Sequence, residues 1–245
     1  MKEITNDLMG YEGLKIIQNP DMFNFSLDSV LLASFATINL KTKKIIDLCT
    51  GNAPIPLYLT LRTKQPIIGI EIQKDVFDLA KRSVDLNNLE EQITVINDDI
   101  INIHQKIGRQ TYDLVLCNPP FFPVTKDSNL NKNDYLTIAR HEIKCKLEDI
   151  ICEASKLLNN SGYFSLIHRP DRLPDILTLF EKYHLIVKKI RFVYPRRNQN
   201  ANHVLIEGIK NGRPGGCKVL PALYVYNKNK WTKEVLNIYN YKMEE

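Results

Sequence analysis

A chain of 245 residues, 44% hydrophobic and 25% charged, has the size and composition of one globular α/β domain with enough core to fold without staples. It has no apolar run long enough to cross a bilayer, and its opening MKEITNDLMG lacks the apolar stretch of a secretory signal, so the expected location is cytoplasmic. The net charge of +5 is unevenly placed: residues 186–233 hold eleven Lys and Arg against the single acid Glu207, a local +10 that leaves −5 for the rest and suggests an anionic partner, nucleic acid first.

In chain order, residues 29–36 read as an apolar helix. Residues 44–48 are β-branched and end in the turn Cys49-Thr50-Gly51-Asn52, a buried strand running into a loop. A buried helix is expected over 55–61 and a second strand over 66–72, with Glu71 at its end. Val76, Leu79, Ala80 and Val84 give residues 75–88 a helical spacing. Residues 93–96 and 112–117 are two further strands, the latter followed at once by Asn118-Pro119-Pro120. Residues 124–135 are polar and read as a surface loop, or a lid that orders on binding. A helix over 147–158, a strand from Gly162 through Ile167 and a helix over 170–183 follow. Strands over 185–194 and 201–209 are joined by a polar turn holding Arg196, Arg197 and Asn198, too short for a crossover, so they should pair as an antiparallel hairpin at the end of the sheet. The alternation implies an α/β fold: a Rossmann-like, doubly wound, mostly parallel seven-stranded sheet with a C-terminal antiparallel hairpin. The five cysteines (Cys49, Cys117, Cys145, Cys152, Cys217) are odd in number and lack a C-x-x-C pair, which argues against a disulfide framework or a zinc site, and no metal is expected.

Ligands of such sheets bind beyond the strand carboxyl ends, and Gly51, Glu71 and Asn118 all fall there. Gly51 lets the backbone, with Asn52 beside it, pass close beneath a ligand. Glu71 is placed to accept from ribose hydroxyls. One glycine does not make the G-x-G-x-x-G turn that a dinucleotide pyrophosphate needs, which favours S-adenosylmethionine. Asp47 suits the cationic amino-acid end of that cofactor. Of Asp98 and Asp99, Asp99 is the candidate for the adenine amine, the alternative being that either caps the following helix.

Asn118-Pro119-Pro120-Phe121 carries the chemistry. Two prolines fix φ and remove two N–H donors, restricting how the Asn118 and Pro119 carbonyls point. An amine awaiting a methyl group needs acceptors for its two N–H bonds, and the Asn118 side-chain oxygen and Pro119 carbonyl would supply them, by positioning rather than by strong base. Phe121 offers an apolar face for a flipped base.

These residues resemble the class I methyltransferases acting on amino groups of adenine, guanine or glutamine, whose fourth strand ends in Asn/Asp/Ser-Pro-Pro-Tyr/Phe. The block Gly13-Leu14-Lys15-Ile16-Ile17-Gln18 with Phe23-Asn24-Phe25-Ser26-Leu27-Asp28-Ser29-Val30-Leu31-Leu32-Ala33 is similar to the opening of the bacterial tRNA1(Val) adenine-37 N6-methyltransferases, as are Ala139-Arg140-His141-Glu142, His168-Arg169-Pro170-Asp171-Arg172-Leu173, and Leu205-Ile206-Glu207. The resemblance runs from about residue 14 to 239 and implies a single domain over 1–245, in which 1–40 covers the cofactor and 41–245 is the catalytic core. It implies that Gln18, Ser26 and Asp28 help close the cofactor pocket. Asn118 and Phe121 would hold the target adenine, and Arg140, Arg169, Arg172, Arg196 and Arg197 would face tRNA. From the residues alone, Asp28 could instead cap its helix, and Arg172 could pair with Asp171 or Asp175. The chain departs from the family's glycine-rich first motif at Cys49 and Ala53. The enzyme alternatives are an N2-guanine RNA methyltransferase, a glutamine N5-methyltransferase of release factors, and a DNA adenine methyltransferase. The non-enzyme alternative is an RNA-binding module that retains the fold.

Overall fold

The computed structural model describes residues 3–8, 13–22, 26–119, 121 and 145–240. Strands β1 (Ile4–Asp7) and β2 (Lys15–Gln18) form an antiparallel hairpin, followed by α1 (Leu27–Phe35). The core then alternates: β3 (Ile45–Leu48), α2 (Pro54–Leu59), β4 (Ile67–Glu71), α3 (Lys74–Leu86), β5 (Ile93–Asn97), α4 (His104–Ile107), β6 (Tyr112–Cys117), α5 (Leu147–Leu157), β7 (Leu158–His168), a 3-10 turn (Pro170–Arg172), α6 (Leu173–Lys182), β8 (Leu185–Tyr194) and β9 (His203–Lys210). Two-residue strands β10 (Lys218–Val219) and β11 (Leu223–Tyr224), the small hairpin β12 (Tyr226–Asn227) and β13 (Lys230–Trp231), and α7 (Lys233–Tyr239) close the described chain.

The main sheet runs β10-β8-β9-β7-β6-β3-β4-β5, with β11 also on β8. Strand β9 is antiparallel to both its neighbours, β7 and β8; the other pairings in this sheet are parallel. The Rossmann-like parallel fold is therefore as expected. The strand count differs, because β10 and β11 add to the edge of β8 and make the sheet nine-stranded. Hence the β8–β9 hairpin does not end the sheet: β9 is tucked inside and β8 carries further strands. Pairs of two residues leave no periodicity to read.

Other boundaries shift for local reasons. β7 starts at Leu158, before Gly162, because the chain bulges on pairing with β6: the register jumps from Tyr112–Leu158 to Leu114–Tyr163, and Ser161 sits at φ 67°. The helix expected over 170–183 is split at Arg172, since Pro174 has no N–H to bond the carbonyl four residues back.

Apolar layers cover both faces. On one, Leu31, Leu32, Ile55, Leu57 and Tyr58 pack α1 and α2 with Val235 of α7. On the other, Ile150, Ile151, Ala154, Ile176 and Phe180 pack α5 and α6 beneath β6, β7 and β9. A buried polar clasp fixes α1 to the sheet: Glu207, 1% exposed, accepts from Thr37 N (2.7 Å), Thr37 Oγ1 (2.6 Å) and Ser165 Oγ (2.6 Å) and pairs with Lys189 Nζ at 2.9 Å. The single acid of the basic segment is thus a structural anchor. No helix of the described residues is long and apolar enough to cross a membrane.

Candidate active site

The turn after β3 takes an unusual backbone path. Cys49 (φ 58°), Gly51 (φ 60°) and Ala53 (φ 70°) all lie in the left-handed region, which costs a non-glycine residue roughly 1–2 kcal/mol. The positions that depart from the glycine-rich motif therefore keep its backbone, strained. A Cβ built on Gly51 meets nothing within 4 Å, so the space above the turn is open. Glu71 fixes the loop from below: Oε2 accepts from Gly51 N and Oε1 from Gln73 N, both at 2.9 Å. Burial pushes its carboxyl upward against these backbone bonds. Asp47 is fully buried and accepts from Thr50 Oγ1 at 2.6 Å through Oδ2, while Oδ1 has no partner. Burial pushes Asp47 up to about 8. Gly69 on β4 makes room for Thr50, whose Oγ1 and Cγ2 would lie 2.9 Å from an added Cβ. Gln73 Oε1 is likewise buried without a partner.

The amino-terminal segment meets this turn. Asn52 Nδ2 donates to Ile17 O at 3.0 Å, beside the buried Gln18. Ile17 N donates to Ser83 Oγ (2.9 Å), fastening β2 to α3. Asp99 Oδ1 accepts from Ile101 N at 2.9 Å, a local turn; neither Asp98 nor Asp99 caps α4, whose N-cap position is Ile103.

Asn118 and Pro119 end β6, at the same edge. Asn118 Nδ2 donates to Ser29 Oγ of α1 at 3.1 Å. What Asn118 then offers a ligand is Oδ1, an acceptor. Phe121 leans on two imidazoles, with centroids 5.3 Å from His168 and 5.6 Å from His203. Asp28 reaches this side: Oδ2 accepts from Ser26 Oγ (2.8 Å) and Oδ1 lies 3.4 Å from His203 Nε2. Ser26 is the N-cap residue of α1, but its hydroxyl serves Asp28 and not the helix.

β8 runs parallel to β6 and β7, so its carboxyl end opens onto the same edge. There Arg196 and Arg197 are exposed and lie over rings, Arg196 over Tyr226 (5.4 Å) and Arg197 over Tyr224 (5.9 Å). Arg196 Nε also donates to Lys228 O at 3.1 Å, tying the turn to the β12–β13 hairpin. Arg169 reaches Asp171 (3.1 Å) and Arg172 reaches Asp175 (2.9 Å). Arg140 and the polar stretch 124–135 lie outside the described residues.

A family model described as the methyltransferase small domain matches residues 14–194. The chain belongs to that family. It is 30% identical over 211 residues to the tRNA1(Val) (adenine(37)-N6)-methyltransferase of Porphyromonas gingivalis, covering 83% of this chain and 81% of that one. Among solved structures, it superposes on a predicted O-methyltransferase from Agrobacterium tumefaciens with a TM-score of 0.66 at 22% identity, covering 87% of this chain and 95% of that one. It also superposes on P. horikoshii TYW2 in complex with MeSAdo, with a TM-score of 0.58 at 15% identity, covering 82% of this chain and 70% of that one.

The protein is thus a methyltransferase, and the cradle fits S-adenosylmethionine as its methyl donor. A cationic, hydrogen-bonding ligand complements the unpartnered acceptors Asp47 Oδ1 and Gln73 Oε1, and the open space over Gly51 admits it. Several of this methyltransferase's residues escape a reading of the sequence. Gln73 lies two residues past Glu71, within reach of the same strand-end argument. His168 opens the motif His168-Arg169-Pro170, where the arginines are the conspicuous residues for an anionic partner. Ser29, His203, Tyr224 and Tyr226 leave no local signal, because their partners lie far away in the chain.

Proposed function

We propose that this methyltransferase modifies N6 of an adenine in a tRNA anticodon loop, position 37 of tRNA1(Val) being the first candidate, in the cytoplasm. The observation that carries this reading is Asn118: its amide nitrogen is held by Ser29 of α1, which leaves Oδ1 to accept one N–H of an exocyclic amine while the Pro119 carbonyl takes the other. Bound S-adenosylmethionine supplies an electrophilic methyl group on sulfur. Glu71 and Asp47 bind its ribose and cationic amino-acid ends, Gln73 accepts from a cofactor N–H, and residues 1–40, joined to Asn52 through Ile17, close over it with Gln18. Phe121 backs the target base. The Arg196–Arg197 turn with Tyr224 and Tyr226 binds phosphates and stacks unpaired bases at the mouth of the site, which suits an RNA loop better than a protein side chain.

The test is nucleoside mass spectrometry of unmodified tRNA treated with the enzyme and S-adenosylmethionine. N6-methyladenosine is the expected product. N2-methylguanosine, or methyl transfer only to a glutamine-bearing protein, would replace this reading.

A further inference from the structure

The mouth of the site holds one polar group that neither the fold nor the positioning of the amine uses. His168 ends β7, next to β6; continuing the Cys117–Leu166 register places it beside Pro119. Its ring is wholly buried. Nδ1 accepts from the backbone N–H of Arg169 at 2.8 Å, which puts the ring proton on Nε2. Burial, with Arg172 nearby, pushes the imidazole down to about 4, so it is neutral at physiological pH. Nε2–H has no hydrogen-bond partner. A buried donor left without an acceptor is destabilising, and the Phe121 ring lies beside the imidazole, with centroids 5.3 Å apart.

We propose that His168 is a specificity-determining residue whose Nε2–H donates to the ring nitrogen adjacent to the amine being methylated. This rests on the reading of the substrate as a nucleobase amine. The chemistry separates adenine from guanine at the Watson–Crick edge. Adenine N1, next to the N6 amine, is an acceptor. In guanine, N1 beside the N2 amine carries a hydrogen and would face the donor, and the acceptor on the other side of that amine, N3, lies on the sugar edge. The imidazole cannot turn to accommodate guanine, because Nδ1 is committed to Arg169 N. Asn118 Oδ1 and His168 Nε2–H together form an acceptor–donor pair matching the N6–H and N1 edge of adenine. Movement of Phe121 from the face of His168 onto the face of the base would open the donor.

The test uses the full-length enzyme and synthetic anticodon stem-loops carrying adenine, 1-deazaadenine or 7-deazaadenine at the target position, with wild-type protein and His168→Phe. The wild type should lose about tenfold to a hundredfold in kcat/KM on 1-deazaadenine, the worth of one buried hydrogen bond, and little on 7-deazaadenine. His168→Phe should be slower on adenine yet treat adenine and 1-deazaadenine alike. It should fold at least as stably as the wild type, since it removes an unsatisfied donor, and a melting curve checks this. Wild-type indifference to 1-deazaadenine, a loss on 7-deazaadenine instead, or full discrimination retained in His168→Phe would each overturn the assignment. A wild-type enzyme that methylates no adenine in any stem-loop would instead refute the functional reading beneath it.

Discussion

The carboxyl edge of the sheet has two halves of opposite character. At the ends of β3 and β4 the polar groups are acids, Asp47 and Glu71, buried and held by Thr50 and backbone N–H groups. At the ends of β7, β8 and β9 they are imidazoles, tyrosines and guanidiniums, and Arg196 and Arg197 lie open to solvent. The difference follows from the two ligands. A small cation is held by a few charges, which must be dry and fixed to be worth much, since attraction grows as the dielectric falls. A polyanion is held by many contacts whose driving force is counterion release, which works in water and tolerates exposure.

The sharpest way to break this contrast is at the seam between the halves. Asn118→Ala should cost about a hundredfold to a thousandfold in kcat, in the range of losing one oriented polar group at a reacting centre, while RNA affinity by filter binding stays near wild type. Loss of both together would mean that Asn118 only holds the fold. Next in size is Glu207→Ala, the one acid of residues 186–233. It leaves Lys189 partly buried without its ionic partner, so unfolding should show about 3 kcal/mol of lost stability. An unchanged denaturation midpoint would make the clasp incidental.

The acidic half should reveal itself through pH. A cationic ligand prefers the ionised form of Asp47, whose carboxyl is pushed up to about 8. Cofactor affinity should therefore rise with pH and level off above 8, with proton release on binding below that, and Asp47→Asn should flatten the profile in calorimetry. Without ligand the sign is opposite. Folded Asp47 keeps a proton that the unfolded carboxyl loses near its ordinary 3.8, so its contribution to stability is full below that pH and is lost as pH rises through 8. A flat wild-type profile would mean that Asp47 is not the cation's partner. The smallest effect belongs to the exposed half. Arg196→Ala and Arg197→Ala should each weaken tRNA binding a few-fold and lower the slope of affinity against salt by about one for each phosphate no longer neutralised, with kcat at saturating RNA unchanged.

How legible each half is in the sequence follows from the same contrast. The cofactor half is built from strand-end positions that alternating apolar runs mark directly, so Asp47, Gly51, Glu71 and Asn118 can be named from the chain alone. Gly69 cannot, because its reason is the Thr50 side chain on the neighbouring strand. The substrate half depends on β9 running back between β7 and β8, which brings His168 and His203 together from 35 positions apart. A hairpin can be foreseen, but not its insertion, and so neither can the imidazole pair. Asp99 and Arg172 each meet a group close in the chain, Ile101 N and Asp175, contacts that spacing alone makes available.

The Glu207 clasp also sets an order of events during synthesis. Helix α1 leaves the ribosome early, but its polar anchors at 165, 189 and 207 and its packing partner Val235 are translated last. Because Ser29 on α1 holds Asn118, the amine-positioning group is oriented only when β9, which carries Glu207, has entered the sheet. A nascent or truncated chain ending before residue 207 would present the cofactor cradle without a competent site for the base, so a prematurely terminated product should bind cofactor yet leave tRNA unmodified.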